Sequence, residues 1–98
     1  MRRISFAPSF DQEVEDIGVY IELTFGEHAR RDFLTDLMAT CWLIALFPTM
    51  GKYDHRHETP LAGFVFRMNW IFFDFDTEEV RFIHMIDSAR ENGIARAD

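Results

Sequence analysis

The sequence predicts an α+β domain of order β-α-α-β-β-β, with an αα-hairpin packed on a small antiparallel sheet. Three observations carry this. Apolar residues recur twice at helical spacing before Pro48, a single glycine (Gly26) separates the two stretches, and after Pro60 the apolar period drops to about 2. At 98 residues the chain is one domain, spanning 1–98, with material for a single core.

Arg2 to Phe6 alternate, with Ile4 and Phe6 on one side, and Ala7-Pro8 closes this first strand. Pro8 suits a first helical turn, and Asp11, Glu13 and Glu15 follow where a helix N-terminus favours negative charge. Phe10, Val14, Ile17, Ile21 and Phe25 then form one helical stripe, which Gly26 stops. The second helix carries Ala29, Phe33, Leu37, Cys41 and Ile44 on one stripe, widened by Leu34, Met38 and Ala45, and ends at Phe47-Pro48. Met50 to Pro60 reads as a loop. Gly63–Arg67, Asn69–Phe75 and Val80–Ile86 read as strands, with Asp76–Glu79 as a turn, and short connections make them an antiparallel meander. A polar tail, Asp87–Asp98, follows.

Both faces of these strands are rich in apolar groups. Phe64 and Phe66 alternate with Val65, and Trp70 and Phe72 alternate with Ile71, Phe73 and Phe75. Two helices cover only one face of a sheet, so loops, the tail or another chain must cover the second.

Composition narrows the function. Ten Lys and Arg against 17 Asp and Glu leave a net charge of −7, which opposes generic coating of nucleic acid. One Cys excludes an internal disulfide framework and points to a reducing compartment. The longest apolar run, Cys41–Pro48, is far shorter than the ~20 residues of a membrane span. With no secretory leader visible, the expectation is a cytoplasmic protein.

Few constellations could carry chemistry. His55-x-His57 is a solvated loop or a weak metal pair, without a third ligand at an informative spacing. Cys41 lies in an apolar stripe and reads as core. Asp74, Asp76, Glu78 and Glu79 lack the glycine and ligand spacing of a calcium loop. Arg67, Arg81, His84 and Arg90 remain. On a sheet they could hold an RNA phosphate and move protons at a 2′-hydroxyl, or they are ordinary strand residues. No cofactor and no metal are expected.

The whole chain resembles the RelE/ParE superfamily of toxins from type II toxin–antitoxin systems. Asp16-Ile17-x-x-Tyr20-Ile21 is similar to the family's helix-one motif, and Ala29-Arg30-Arg31-Asp32-Phe33 to the opening of its second helix. The segment Thr40 to Gly51, ending Phe47-Pro48-Thr49-Met50-Gly51, is the most specific match. Leu61-Ala62-Gly63, Ile71-Phe72-Phe73 and Val80–Asp87 resemble the later strands. The long hairpin and the Phe-Pro-x-Met-Gly link look closer to ParE than to RelE. The chain departs from the family pattern at Phe64-Val65-Phe66, where an arginine is usual after the glycine, and at Asp74 and Asp87, where the family has basic or imidazole groups.

The resemblance implies a toxin that inhibits DNA gyrase by binding, blocks replication, stabilises plasmids and is neutralised by a cognate antitoxin. Trp42, Phe64, Phe66 and Trp70 are then the candidate antitoxin contacts, with core packing the alternative for each. The second reading is a RelE-type ribosome-dependent messenger-RNA endoribonuclease using Arg67, Arg81, His84 and Arg90. A third is a non-toxic interaction module, such as a homodimer built on the same apolar surface.

Overall fold

The computed structural model describes residues 2–54 and 61–87. Its elements are β1 (Arg3–Phe6), α1 (Pro8–Phe25), α2 (Glu27–Leu46), a 3₁₀ turn (Pro48–Met50), β2 (Lys52–Asp54), β3 (Leu61–Phe66), β4 (Asn69–Phe75) and β5 (Glu79–Asp87). The order β-α-α-β-β-β is present with one added strand. The five strands form one sheet, β1-β5-β4-β3-β2. The meander β3-β4-β5 is antiparallel as expected, but β1 joins β5 in parallel, so the sheet is mixed.

The added strand corrects the loop expected over Met50–Pro60. Lys52, Tyr53 and Asp54 pair antiparallel with Gly63, Ala62 and Leu61. Backbone hydrogen bonds along the otherwise open edge of β3 create this strand, and such pairing needs no apolar alternation in the sequence. The polar stretch His55–Glu58 and the tail from Ser88 onward, with Arg90, lie outside the described residues.

Local chemistry sets the helix ends. Pro8 occupies the first turn of α1. Ala7 donates its N–H to the Phe82 carbonyl at 2.9 Å, so the chain leaves the sheet directly into the helix. Gly26 ends α1 and begins α2. Its N–H donates to the Glu22 carbonyl, and its own carbonyl accepts from the Arg30 N–H. Its φ of 101° is open to glycine and strained for other residues. Gly51, at the end of the Phe-Pro-x-Met-Gly segment, has a different reason. A Cβ there would stand 2.8 Å from Cζ of Phe73, so only a glycine passes over that ring into β2.

The hairpin packs on one face of the sheet. Phe10 of α1 and Phe33, Leu37, Cys41 and Ile44 of α2 meet Ala62, Phe66, Ile71, Phe73, Val80, Phe82 and Met85. Phe6, Phe10 and Phe82 form a mutual ring cluster with centroids 5.5–5.7 Å apart. Of the widening row, Ala45 is buried, but Leu34 and Met38 are 37% and 42% exposed. Phe25, at the end of the first stripe, is also exposed.

The second face of the sheet is apolar at its centre. Phe72 is fully buried yet outside the core cluster, and stacks on Trp70 with centroids 5.9 Å apart. Val65, paired with Trp70, remains half exposed.

Beyond Phe82, β5 has no β1 partner, because β1 ends at Phe6. Side chains of α1 take over that bare edge. Ser9 donates its hydroxyl to the Ile83 carbonyl at 2.7 Å, and the Met85 N–H donates to the Glu13 carboxylate at 3.1 Å. These bonds bridge the register shift opposite Phe72 and Phe73, where β5 carries one extra residue.

Candidate partner-binding site

The hairpin turn between β3 and β4 consists of Arg67 and Met68, closed by the Phe66–Asn69 pair. The sequence placed Arg67 at the end of a strand; the structure places it in the turn with φ 56°, where non-glycine residues are uncommon. Contacts hold it there. The guanidinium lies 5.7 Å from the Phe33 ring centre and 5.6 Å from that of Phe66, and pairs with the Asp36 carboxylate of α2.

This turn forms one wall of a groove of about 740 Å³. The opposite wall is α1, with Asp16, Ile17, Tyr20 and Ile21, and the hairpin end contributes Phe25, Ala29, Asp32 and Phe33. Met68, Asn69 and Asp87 complete it beside Arg67. The floor is apolar and three carboxylates stand around it. Asp16 accepts from the Gln12 amide at 2.9 Å. Asp32 has no cationic partner among the described residues.

A second exposed apolar region lies on α2. Residues 37–50 carry no charged side chain, and Trp42, Leu43, Leu46 and Phe47 are exposed. Of the candidate contacts, Trp42 stands on this helical layer. Trp70 is half-buried on the far face of the sheet, and Phe64 is half-buried against the core. Phe66 is inside the core, 5.7 Å from Phe33. Burial thus leaves Trp42 and Trp70 the more accessible of the four.

Arg67 and Arg81 do not converge, and Arg90 lies outside the described residues. Arg67 is at the β3–β4 turn. Arg81 faces Asp74 at the other end of β4, bound to Asp74, Asp76 and Glu79. Hydrogen bonds that Arg81 donates to the carboxylates of Glu79 and then Asp74 push its pKa up. Asp76 is held below the usual carboxylate range chiefly by the N–H groups of Glu78 and Glu79, at 2.7 and 2.8 Å. Glu79 is lowered chiefly by Arg81. The expected acidic turn is therefore an ion-paired cap on the sheet. His84 Nδ1 lies 3.2 Å from the Glu13 carboxylate. Cys41 is fully buried, and burial pushes its thiol up to about 12, which leaves no thiolate at neutral pH. Among the described residues no group of three or more His, Cys, Asp or Glu side chains could hold a metal ion.

Arg30 explains the most polar of the helix motifs. It reaches from α2 to Glu15 at 3.0 Å and Glu22 at 3.2 Å on α1, clasping the hairpin. Those carboxylates, Glu15 foremost, raise its pKa.

The family model described as "ParE toxin of type II toxin-antitoxin system, parDE" matches residues 4–93. The chain belongs to the ParE toxin family. No curated protein matches it closely. Among solved structures, a chain from the "Chromosomal ParDE TA system from P. aeruginosa" superposes with a TM-score of 0.73 at 10% identity, covering 89% of this chain and 96% of that one. At that identity the likeness is one of fold. For this ParE-family chain, the expected membership and hairpin-on-sheet architecture hold. No helix among the described residues is long and apolar enough to cross a membrane.

Sequence reading passed over Glu13, Asp16 and Asp32 as parts of a site. Glu13 borders the apolar stripe of α1, one position before Val14, and that position was the available signal. Asp16 and Asp32 line one groove because Gly26 folds α1 back on α2.

Proposed function

We propose that this chain is the toxin of a type II pair, acting by binding to its target, DNA gyrase, and neutralised by a cognate antitoxin. Family membership over residues 4–93 is the observation that carries the reading. The antitoxin segment docks on the two exposed apolar regions, with Trp42 on the helical layer and Trp70 on the far face of the sheet as anchors and Phe64 at the margin. Both tryptophans offer large rigid contact area of the kind that dominates binding energy.

Binding is favoured over the ribonuclease reading by the arrangement of the cations. Arg81 is surrounded by three carboxylates, and Arg67 is held by Asp36 at the opposite end of the sheet. Neither is disposed to meet one phosphate together with the other. The net charge of −7 also opposes approach to RNA.

A supercoiling assay with purified gyrase tests the target. Loss of supercoiling at stoichiometric chain is expected; full supercoiling at large excess removes gyrase. Translating ribosomes with added chain test the alternative: intact message sinks the ribonuclease reading, and message cleavage abolished by Arg81→Ala revives it. Co-purification with the product of the adjacent small gene tests the antitoxin.

A further inference from the structure

We propose that the groove between α1 and the β3–β4 turn is the docking site of this chain's own segment after β5, residues 88–98. That segment lays Ile94 on the apolar floor and sets Arg90 and Arg96 against the carboxylates of the rim. The inference goes beyond the toxin and antitoxin readings and does not rest on them.

Chain continuity is the first argument. The floor of the groove is Ile17, Tyr20, Ile21 and Phe33, with Asp16 and Asp32 at its edge. Asp87 also lines the groove, and it is the last residue of β5. Its pairing with Asn69 fixes it beside the β3–β4 turn. Residues 88–98 lie outside the described residues, but the covalent chain starts them in the groove wall. At ~3.6 Å per residue at most, Arg90 stands within about 11 Å of Asp87. A segment tethered this closely meets the site at an effective concentration of about millimolar, so a contact too weak to hold a separate molecule is still populated.

Complementarity is the second argument. The groove joins exposed apolar side chains, Tyr20 and Phe25, to an acidic edge. The segment carries the counterpart of each: Ile94 among three alanines, and Arg90 and Arg96. An arginine stem lies on apolar surface while its head reaches a carboxylate, which suits this floor and rim. Glu91 and Asp98 balance the two arginines, so the segment approaches without net side-chain charge. A second copy of the chain brings a net charge of −7 to the same acidic edge and is repelled. Tethering and neutrality together favour the chain's own segment as the occupant.

The test uses the full chain with a nitroxide attached at Ala97→Cys. Cys41 is fully buried and is not labelled. Broadening of amide signals reports which residues the label approaches. Ile17, Tyr20 and Asp32 are expected to lose most of their intensity, while Leu46, about 21 Å along α2 from Asp32, keeps its own. Asp16→Asn/Asp32→Asn and Arg90→Gln/Arg96→Gln are each expected to restore most of the groove signals. Trypsin reads the same contact without a label. Cleavage after Arg90 and Arg96 is expected to be about tenfold slower than in a free peptide of residues 88–98, the ratio of one charge-assisted contact. The Asp16→Asn/Asp32→Asn chain is expected to lose that protection. Groove signals of full intensity overturn the proposal, and so does cleavage at the peptide's rate. Broadening that survives both charge variants also overturns it, because a tethered segment that merely passes the groove gives the same effect. Broadening of isotope-labelled, nitroxide-free chain by added nitroxide-bearing chain places the segment on a second copy and overturns docking within one chain. Each of these failures leaves the toxin and antitoxin readings standing.

Discussion

Replacing Glu13 by alanine tests how α1 is anchored to the sheet. The carboxylate accepts the Met85 N–H at 3.1 Å and lies 3.2 Å from His84 Nδ1, on the edge of β5 that β1 does not reach. Hydrogen bonds to charged groups contribute about 1.5–3 kcal/mol, and an orphaned buried N–H costs about 1–3 kcal/mol. The Glu13 side chain is 30% exposed, so water recovers part of that loss. An expected destabilisation of about 1–2 kcal/mol follows, toward the lower end of both ranges. For a domain of this size, it lowers Tm by about 4–15 °C. Glu13→Gln keeps an acceptor oxygen and is expected to lose about half as much. Calorimetry reads the global change, and hydrogen exchange at the Met85 amide reads the local one. Faster exchange at Met85, with β3 amides changed only by the global amount, is the expected pattern. If Glu13→Ala changes stability by less than about 0.3 kcal/mol and leaves Met85 exchange untouched, the edge-capping argument is wrong.

Further outcomes follow from other contacts. Phe33→Ala removes a fully buried ring and its tilted contact with Phe66, and is expected to cost about 3–5 kcal/mol in urea unfolding, a large share of the stability of an ordinary domain. Arg67→Gly and Arg67→Ala delete the same contacts, but alanine must still sit at φ 56°; the glycine variant is expected to be the more stable, by up to about 1 kcal/mol, as read by paired urea melts. Asp76 and Glu79 have lowered pKa values, so their contribution is present above the ordinary carboxylate range and lost as pH falls through the lowered values. Urea midpoints are therefore expected to drop below about pH 4, and Asp76→Asn is expected to flatten that acid limb. The Cys41 thiol is expected to resist aromatic disulfide reagents in the native state and to react at the rate of global opening; rapid labelling of folded protein contradicts its burial.

The elements were legible where periodicity is strong. The stripes Phe10-Val14-Ile17-Ile21 and Phe33-Leu37-Cys41-Ile44 named both helices and the residues that face the core, because a 3.6-residue period reports burial directly. Alternation did the same for β4. Strand β2 left no signal, since its three residues are recruited by the edge of β3. The second row on α2, Leu34 and Met38, carries the chemistry of core residues but stays half exposed; apolarity alone does not say whether a face meets this chain or another.

For the site the division is sharper. The accessibility of Trp42 and the uncharged stretch around it follow from the sequence of α2. The separation of Arg67 from Arg81, and the placing of Asp16 and Asp32 along one groove, do not.

By itself the sequence determined the architecture, the family and the acidity of this chain, because helix and strand periods, a helix-breaking glycine and net charge are local or additive properties. Only the tertiary structure decided which carboxylates are neutralised and which are left facing a groove. Asp74, Asp76 and Glu79 are satisfied by one arginine across β4 and β5, while Asp16 and Asp32 line one groove and form no ion pair among the described residues. Charge pairing depends on distances of a few ångströms between residues far apart in the chain, and folding alone sets those distances.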